Sequence, residues 1–285
     1  MPKTIGNPIS WAVSSVGSAF GHAALVAEDI GTHDAATMPE IRQISVADLR
    51  AALRRGVADM GEFRSDVVFA CLLYPIIGIV LAVMALKGNM AHLLFPVLSG
   101  FALVGPVASV GLYEMSRRRE MGSPVNWLVF GDVLRAPRFG SILVLGLLLL
   151  GIFATWLLVA NLIYALTLGP EVPVSTTVFL HDAVSTSAGW AMIVIGMTAG
   201  FFFAVLVLAI SVVSFPLLLD RDVGLVVAVV TSVRVAWRNP RTIAIWGLIV
   251  AGSLAAGSVP ALLGLLLVMP ILGHATWHLY RAAVV

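Results

Sequence analysis

Charge is what this chain has least of. Only 11% of its 285 residues are Asp, Glu, Lys or Arg, against about 25% in an ordinary soluble domain, while 60% are apolar and the mean hydropathy is +1.01. That shortage excludes a soluble globular protein and leaves a polytopic membrane protein. Cysteine is nearly missing: Cys71 stands alone in an apolar run, so no intrachain disulfide and no cysteine-based metal cluster can form. Lysine is scarce too, with only Lys3 and Lys87 among the 17 basic residues. The rest are arginines, suited to phosphate headgroups and carboxylates. No carboxylate falls in the middle of an apolar run, which removes the usual relay for protons or ions. There is no G-x-S-x-G, no H-E-x-x-H and no phosphate-cradling glycine loop, so the expectation is a non-enzymatic protein with no cofactor. The arginines border apolar runs, where anionic lipid explains them without nucleic acid.

What is present is a series of apolar runs, judged against the ~20 residues that cross a bilayer. They cover about 67–86, 91–115, 140–166, 188–219, 242–257 and 260–280. The expected fold is all-α: a polytopic bundle of six transmembrane helices arranged as three hairpins, occupying 46–285 behind a mobile cytoplasmic tail, 1–45. Between the last two runs, Gly252, Gly257 and Pro260 also fit a single bent element. In the tail, Ile9, Val13, Val16 and Phe20 recur at helical spacing. A signal peptide ending near Ala27 is disfavoured, because serines and glycines dilute its apolar region. Ser45 and Asp48 look like the capped start of a helix with Val46, Leu49, Leu53, Val57 and Met60 on one face and Arg50, Arg54 and Arg55 beside them. Such a helix rests in the headgroup layer.

An internal repeat runs through the chain at a constant offset of 164. It pairs Pro96 with Pro260, Leu98 with Leu262, Gly100 with Gly264, Leu103 with Leu267, Val104 with Val268, Pro106 with Pro270 and Arg117 with Arg281. A finer echo precedes two of the runs, Arg135-Ala136-Pro137-Arg138 and Arg238-Asn239-Pro240-Arg241. The repeating unit is a basic surface helix, a proline-marked corner and a membrane hairpin. Every arginine and Lys3 fall on one side of the runs, with Lys87 alone on the other. By the positive-inside rule both termini are cytoplasmic.

Few residues are candidates for a site. His274 and His278 lie four apart on one helix face, and the offset of 164 sets Glu114 against His278. These three side chains fit a polar clamp between helix ends, or less readily a metal or haem-associated redox site. His92 is about a membrane thickness from His274 and cannot share an iron with it. His181 and Asp182 form an ordinary solvated pair in the outer loop. Gly196-x-x-x-Gly200 permits close helix approach without implying a dimer. Gly105, Pro106 and Pro270 are positions where helices would kink at matching depths, the basis of an alternative in which the chain transports a small solute or lipid at a pseudo-twofold site. Arg54, Arg55, Arg117, Arg118, Arg119, Arg135, Arg138, Arg238 and Arg241 form a cytoplasmic face for anionic phospholipid headgroups or a membrane protein complex.

Several strings resemble the bacterial integral membrane family DUF2189. They are Gly100-Phe101, Gly105-Pro106, Gly111-Leu112-Tyr113-Glu114-Met115-Ser116-Arg117-Arg118 with Glu120 and Gly122, Pro216-Leu217-Leu218-Leu219-Asp220-Arg221, and Pro270 through His274 and His278 to Arg281. The resemblance covers about residues 40–283. It implies a membrane fold and no catalytic residues, since no activity is established for the family. The resulting expectation is an accessory or assembly factor of a membrane complex.

Overall fold

The structure is a computed structural model that describes residues 38–62, 71–87, 90–125, 129–133, 139–171, 173 and 175–285. Outside the described residues lie the tail helix at 9–20, Arg64, the start of the first apolar run, the turn at 88–89, and the first Arg-x-Pro-Arg corner with Arg135 and Arg138.

The described residues form helices and no sheet. In chain order these are α1 Val46–Glu62, α2 Leu73–Lys87, a 3₁₀ turn Ala91–Leu93, α3 Leu94–Leu103, α4 Gly105–Ala108, α5 Val110–Glu120, α6 Val129–Val133 and α7 Phe139–Thr167. Then follow α8 Thr176–Ser185, α9 Ser187–Ser211, α10 Ser214–Asp220, α11 Leu225–Arg238, α12 Pro240–Ser258 and α13 Leu265–Ala283. A single antiparallel bridge joins Ile41 to Val284.

Three stretches are long and apolar enough to cross a membrane: α7, the 34-residue stretch Ser187–Asp220, and α12. Leu158, Leu166, Phe201, Phe202 and Leu248 stand exposed along them, as side chains do when acyl chains cover them. Within Ser187–Asp220 the helix breaks at Val212–Val213. Pro216 causes the break, because its ring excludes the carbonyl four residues back and its nitrogen has no proton to give. The loosened backbone is satisfied by Ser232 of α11, which accepts from Val213 N at 3.3 Å and donates to Ala209 O at 2.7 Å.

The candidate kinks are unlike each other. Pro106 opens the four-residue α4 just after an interruption at Val104, whereas Pro270 lies inside the unbroken α13. The expectation of breaks at matching depths is therefore corrected on the Pro270 side. The last two apolar runs are separate helices, α12 and α13. Ala261 and Leu262 adopt φ of 50° and 66° in the turn between them. The outer loop also differs from expectation, since it contains α8, capped by Ser175 accepting from Val178 N at 3.2 Å.

At the N-terminus of α1, Ser45 N and Oγ both donate to Asp48 at 2.7 Å. These bonds, the backbone one first, hold the Asp48 carboxyl below its ordinary range. The buried face of α1 is Leu49, Ala52, Gly56 and Asp59, while Val46 and Val57 are exposed. The face that packs on protein is thus rotated from the large apolar stripe expected. The reason is contact distance: a Cβ on Gly56 would lie 2.7 Å from both Ala275 N and Ile271 O of α13, so only a seam of small residues lets the two backbones meet. Most of the core is one cluster, drawing Leu145 and Leu149 from α7, Phe215 and Leu217 from α10, Val235 from α11, Trp246 from α12, and Trp277 and Tyr280 from α13.

Candidate functional site

The close approach at Gly56 sets the chemistry one turn later. Asp59 lies on the same seam, and α13 presents His274 and His278 to it. The C-terminal half of α5 supplies Ser116 and Arg119; α5 itself packs against α13 so closely that a Cβ on Gly273 would reach within 2.5 Å of Leu112. The stretches 96–117 and 260–281 therefore meet where α5 packs on α13.

At the centre, Asp59 Oδ2 accepts from Ser116 Oγ at 2.6 Å and pairs with His278 Nε2 at 2.9 Å. Its other oxygen pairs with Arg119. Ser116 Oγ also lies 2.8 Å from His274 Nδ1. An ionised carboxylate only accepts, so the serine gives its one proton to Asp59 and accepts from Nδ1–H of His274. The Asp59 side chain is 4% exposed and that of His274 0%, so water does not compete. Burial alone would push the Asp59 carboxyl up, but hydrogen bonds from His278 and Ser116 and the two imidazoles outweigh it and bring it to about 2.

A second layer of ion pairs closes the same end of the bundle. Glu120 lies 3.6 Å from His278 Nδ1 and 3.3 Å from Arg281 Nε. Burial raises the Glu120 carboxyl, and His278 and Arg281 more than offset that, leaving it below its ordinary range. Asp220, at the end of α10, accepts from Tyr280 OH at 2.7 Å and pairs with Arg281 at 3.2 Å. Glu114 pairs with Arg117 at 3.0 Å and Arg118 at 2.9 Å, and Arg118 reaches Asp132 of α6 at 3.1 Å. Five helices, α1, α5, α6, α10 and α13, are thus held at one end by charge.

The candidates from the sequence divide accordingly. His274 and His278 are brought together, but their carboxylate is Asp59. Glu114 pairs with its own helix instead, because Arg117 and Arg118 at i+3 and i+4 are nearer than the partner the offset of 164 assigned to it. Arg117, Arg118 and Arg119 are engaged internally, whereas Arg54, Arg55, Arg238 and Arg241 are exposed with no ion pair or hydrogen bond among the described residues. Sequence reasoning missed Asp59. Its signal was present, as the one acid on the 49–52–56–59 seam of the helix. Among the described residues no group of three or more His, Cys, Asp and Glu is placed to hold a metal ion; the imidazole nitrogens nearest Asp59 are spent on Ser116 and Asp59.

At the opposite end, His92 stacks on Tyr164 with ring centroids 4.1 Å apart and lies 3.3 Å from Asn161 Oδ1. Both border a cavity of about 160 Å³ walled by Phe95, Trp156, Phe179 and Met192. His181 and Asp182 are exposed on α8, 3.4 Å apart.

No curated protein and no solved structure matches the chain. The model of one family, DUF2189, described as a predicted integral membrane protein, matches residues 94–220. The matched stretch contains Ser116, Arg117, Arg118, Arg119, Glu120 and Asp220, while Asp59, His274 and His278 lie beyond it. Over residues 94–220 the chain is similar to DUF2189, a family of predicted integral membrane proteins, in keeping with its three stretches long and apolar enough to cross a membrane.

Proposed function

We propose that this protein is a non-enzymatic accessory or assembly factor of a membrane complex, multi-pass in the bacterial inner membrane with both termini cytoplasmic. Its arginine-bearing end is the surface that holds anionic lipid or a partner. In this reading α2, the α3–α5 segment and α13 join the three long apolar stretches as six spans in three hairpins, and the frames at 96–117 and 260–281 descend from one duplicated unit.

The observation that supports it is the sorting of the arginines. One set, Arg117, Arg118, Arg119, Arg221 and Arg281, is paired within the chain. The other set, Arg50, Arg54, Arg55, Arg234, Arg238 and Arg241, is exposed without a counter-charge among the described residues. The acids and histidines that would otherwise serve chemistry hold helices together, and the cations that remain face outward. Gentle solubilisation of native membranes followed by affinity purification should recover a partner protein or anionic lipid with the chain; monodisperse protein alone would count against the proposal. A periplasm-active reporter fused after Val285 should be inactive.

The interruption between α3 and α5 favours a second reading, transport of a small solute or lipid. There the weight falls on Gly105 and Pro106, since α13 is continuous through Pro270. Solute flux in proteoliposomes that disappears on Pro106→Ala would support it.

A further inference from the structure

The α11–α12 corner is built around a buried asparagine. Asn239 Oδ1 accepts from Ile44 N at 2.8 Å, and Nδ2 donates to the carbonyls of Arg42 and Val235 at 3.1 Å. Thr242 Oγ1 adds a bond to Ile44 O at 2.9 Å. From the other side Arg42 N donates to Ala283 O at 2.9 Å. Both backbone groups of Arg42 are therefore tied down beside the residues flanking Asn239, which are Arg238 and, past Pro240, Arg241. All three arginines are exposed and make no ion pair or hydrogen bond through their side chains among the described residues. Glu40, the acid nearest in sequence, pairs with none of them, and Asp59, Glu114, Glu120 and Asp220 are engaged elsewhere. Three exposed arginines are thus carried on one hydrogen-bonded frame with no counter-charge among the described residues.

The neighbouring helix sets the depth of this cluster. On α11 the side opposite its buried residues carries Val226, Val230 and Trp237 at i, i+4 and i+11, with Trp237 81% exposed. An apolar stripe ending in a tryptophan sits at the boundary of acyl chains and headgroups. Arg238 and Arg241, next along the chain, then lie at phosphate level. We propose that Arg42, Arg238 and Arg241 form a discrete site for the phosphate of an anionic phospholipid. This rests on the basic-face reading above and narrows it to one location.

Native mass spectrometry of the full-length protein in mild detergent tests it, with phosphatidylglycerol as the probe and phosphatidylcholine and inorganic phosphate as comparators. Wild type should retain phosphatidylglycerol in preference to phosphatidylcholine. At about fivefold per arginine, the triple variant R42Q/R238Q/R241Q should bind it ~100-fold more weakly, with its melting temperature unchanged. The variant R50Q/R54Q/R55Q, which removes the same charge from the α1 part of the basic face, should weaken binding by no more than about fivefold. Equal losses in both triple variants would overturn the discrete site and leave a diffuse basic face. No preference for phosphatidylglycerol in wild type would overturn the site and the lipid side of the wider reading. Displacement by inorganic phosphate at matched concentration would overturn the lipid as occupant.

Discussion

Replacing Asp59 by Ala removes the acceptor on which the basic end of the bundle converges. Three donors then lose their partner: the Ser116 hydroxyl, His278 Nε2–H and the Arg119 guanidinium. Arg119 is 38% exposed along its side chain and turns to solvent and Glu62, so its loss is small. Ser116 is fully buried and His278 is 7% exposed. Each orphaned buried group costs about 1–3 kcal/mol, and removing one member of a buried pair costs about 3–5 kcal/mol. About 4 kcal/mol is the expected loss, measurable as a shift in unfolding free energy during titration from dodecylmaltoside into SDS. Asp59→Asn should cost roughly half as much, because one carbonyl oxygen still accepts. The sharper form is a cycle with His278→Phe. Removing both partners together should cost less than the sum of the single changes by about 2 kcal/mol. An Asp59→Ala variant within about 0.5 kcal/mol of wild type, or strict additivity with His278→Phe, would refute the idea that this contact holds α1 on α13.

Other outcomes follow from the same geometry. Gly56→Ala drives a methyl group into the α13 backbone and should cost about 1–3 kcal/mol by overpacking; Gly56→Leu should detach α1, seen as rapid protease cleavage between 46 and 62. Asp59 is depressed to about 2 in the folded protein against about 3.9 unfolded, so its contribution is complete above the unfolded value and is lost as pH falls through the folded one. That amounts to about 2–3 kcal/mol, disappearing between roughly pH 4 and 2 in wild type and absent from Asp59→Asn. Asn239→Ala strands the buried Ile44 N–H and releases the Arg42 segment, for a loss of about 1–3 kcal/mol in the same SDS titration. Changing His274 to Phe should lower stability without creating or abolishing any metal content in purified protein, checked by elemental analysis.

Much of the architecture was visible in residue order because hydropathy and length are summed along one helix. The apolar runs at 140–166, 188–219 and 242–257 appear as α7, α9–α10 and α12 with ends within a few residues. The weak boundary at Pro260 resolved into a turn, since Gly257 and Gly264 have no side chains to keep the two helices apart: a Cβ on Gly264 would sit 2.7 Å from Gly257 Cα. The site was half legible. Spacing alone put His274 and His278 on one face, and the offset brought α5 to α13. The carboxylate was misassigned because a repeat frame predicts which helices meet, not which rotamers win, and Arg117 and Arg118 capture Glu114 locally. Asp59 came from a helix expected to lie on lipid. Val46 and Val57 of its apolar stripe do face outward, but Leu49 is buried together with a run of small residues that meets α13, and a hydrophobic stripe carries no information about such a seam.

The division of arginines into those that hold the fold and those that hold a partner is tested most directly by neutralising each set in turn. Melting temperature and co-purifying material from native membranes would be measured together for R117Q/R119Q and for R54Q/R55Q/R238Q/R241Q. The first variant should melt lower, because Glu114 keeps only Arg118 and Asp59 loses its guanidinium partner. The second should melt as wild type does and lose the lipid or protein that comes with it. If the exposed set proved to be the destabilising one, or if its neutralisation left every co-purifying component in place, the account would be contradicted.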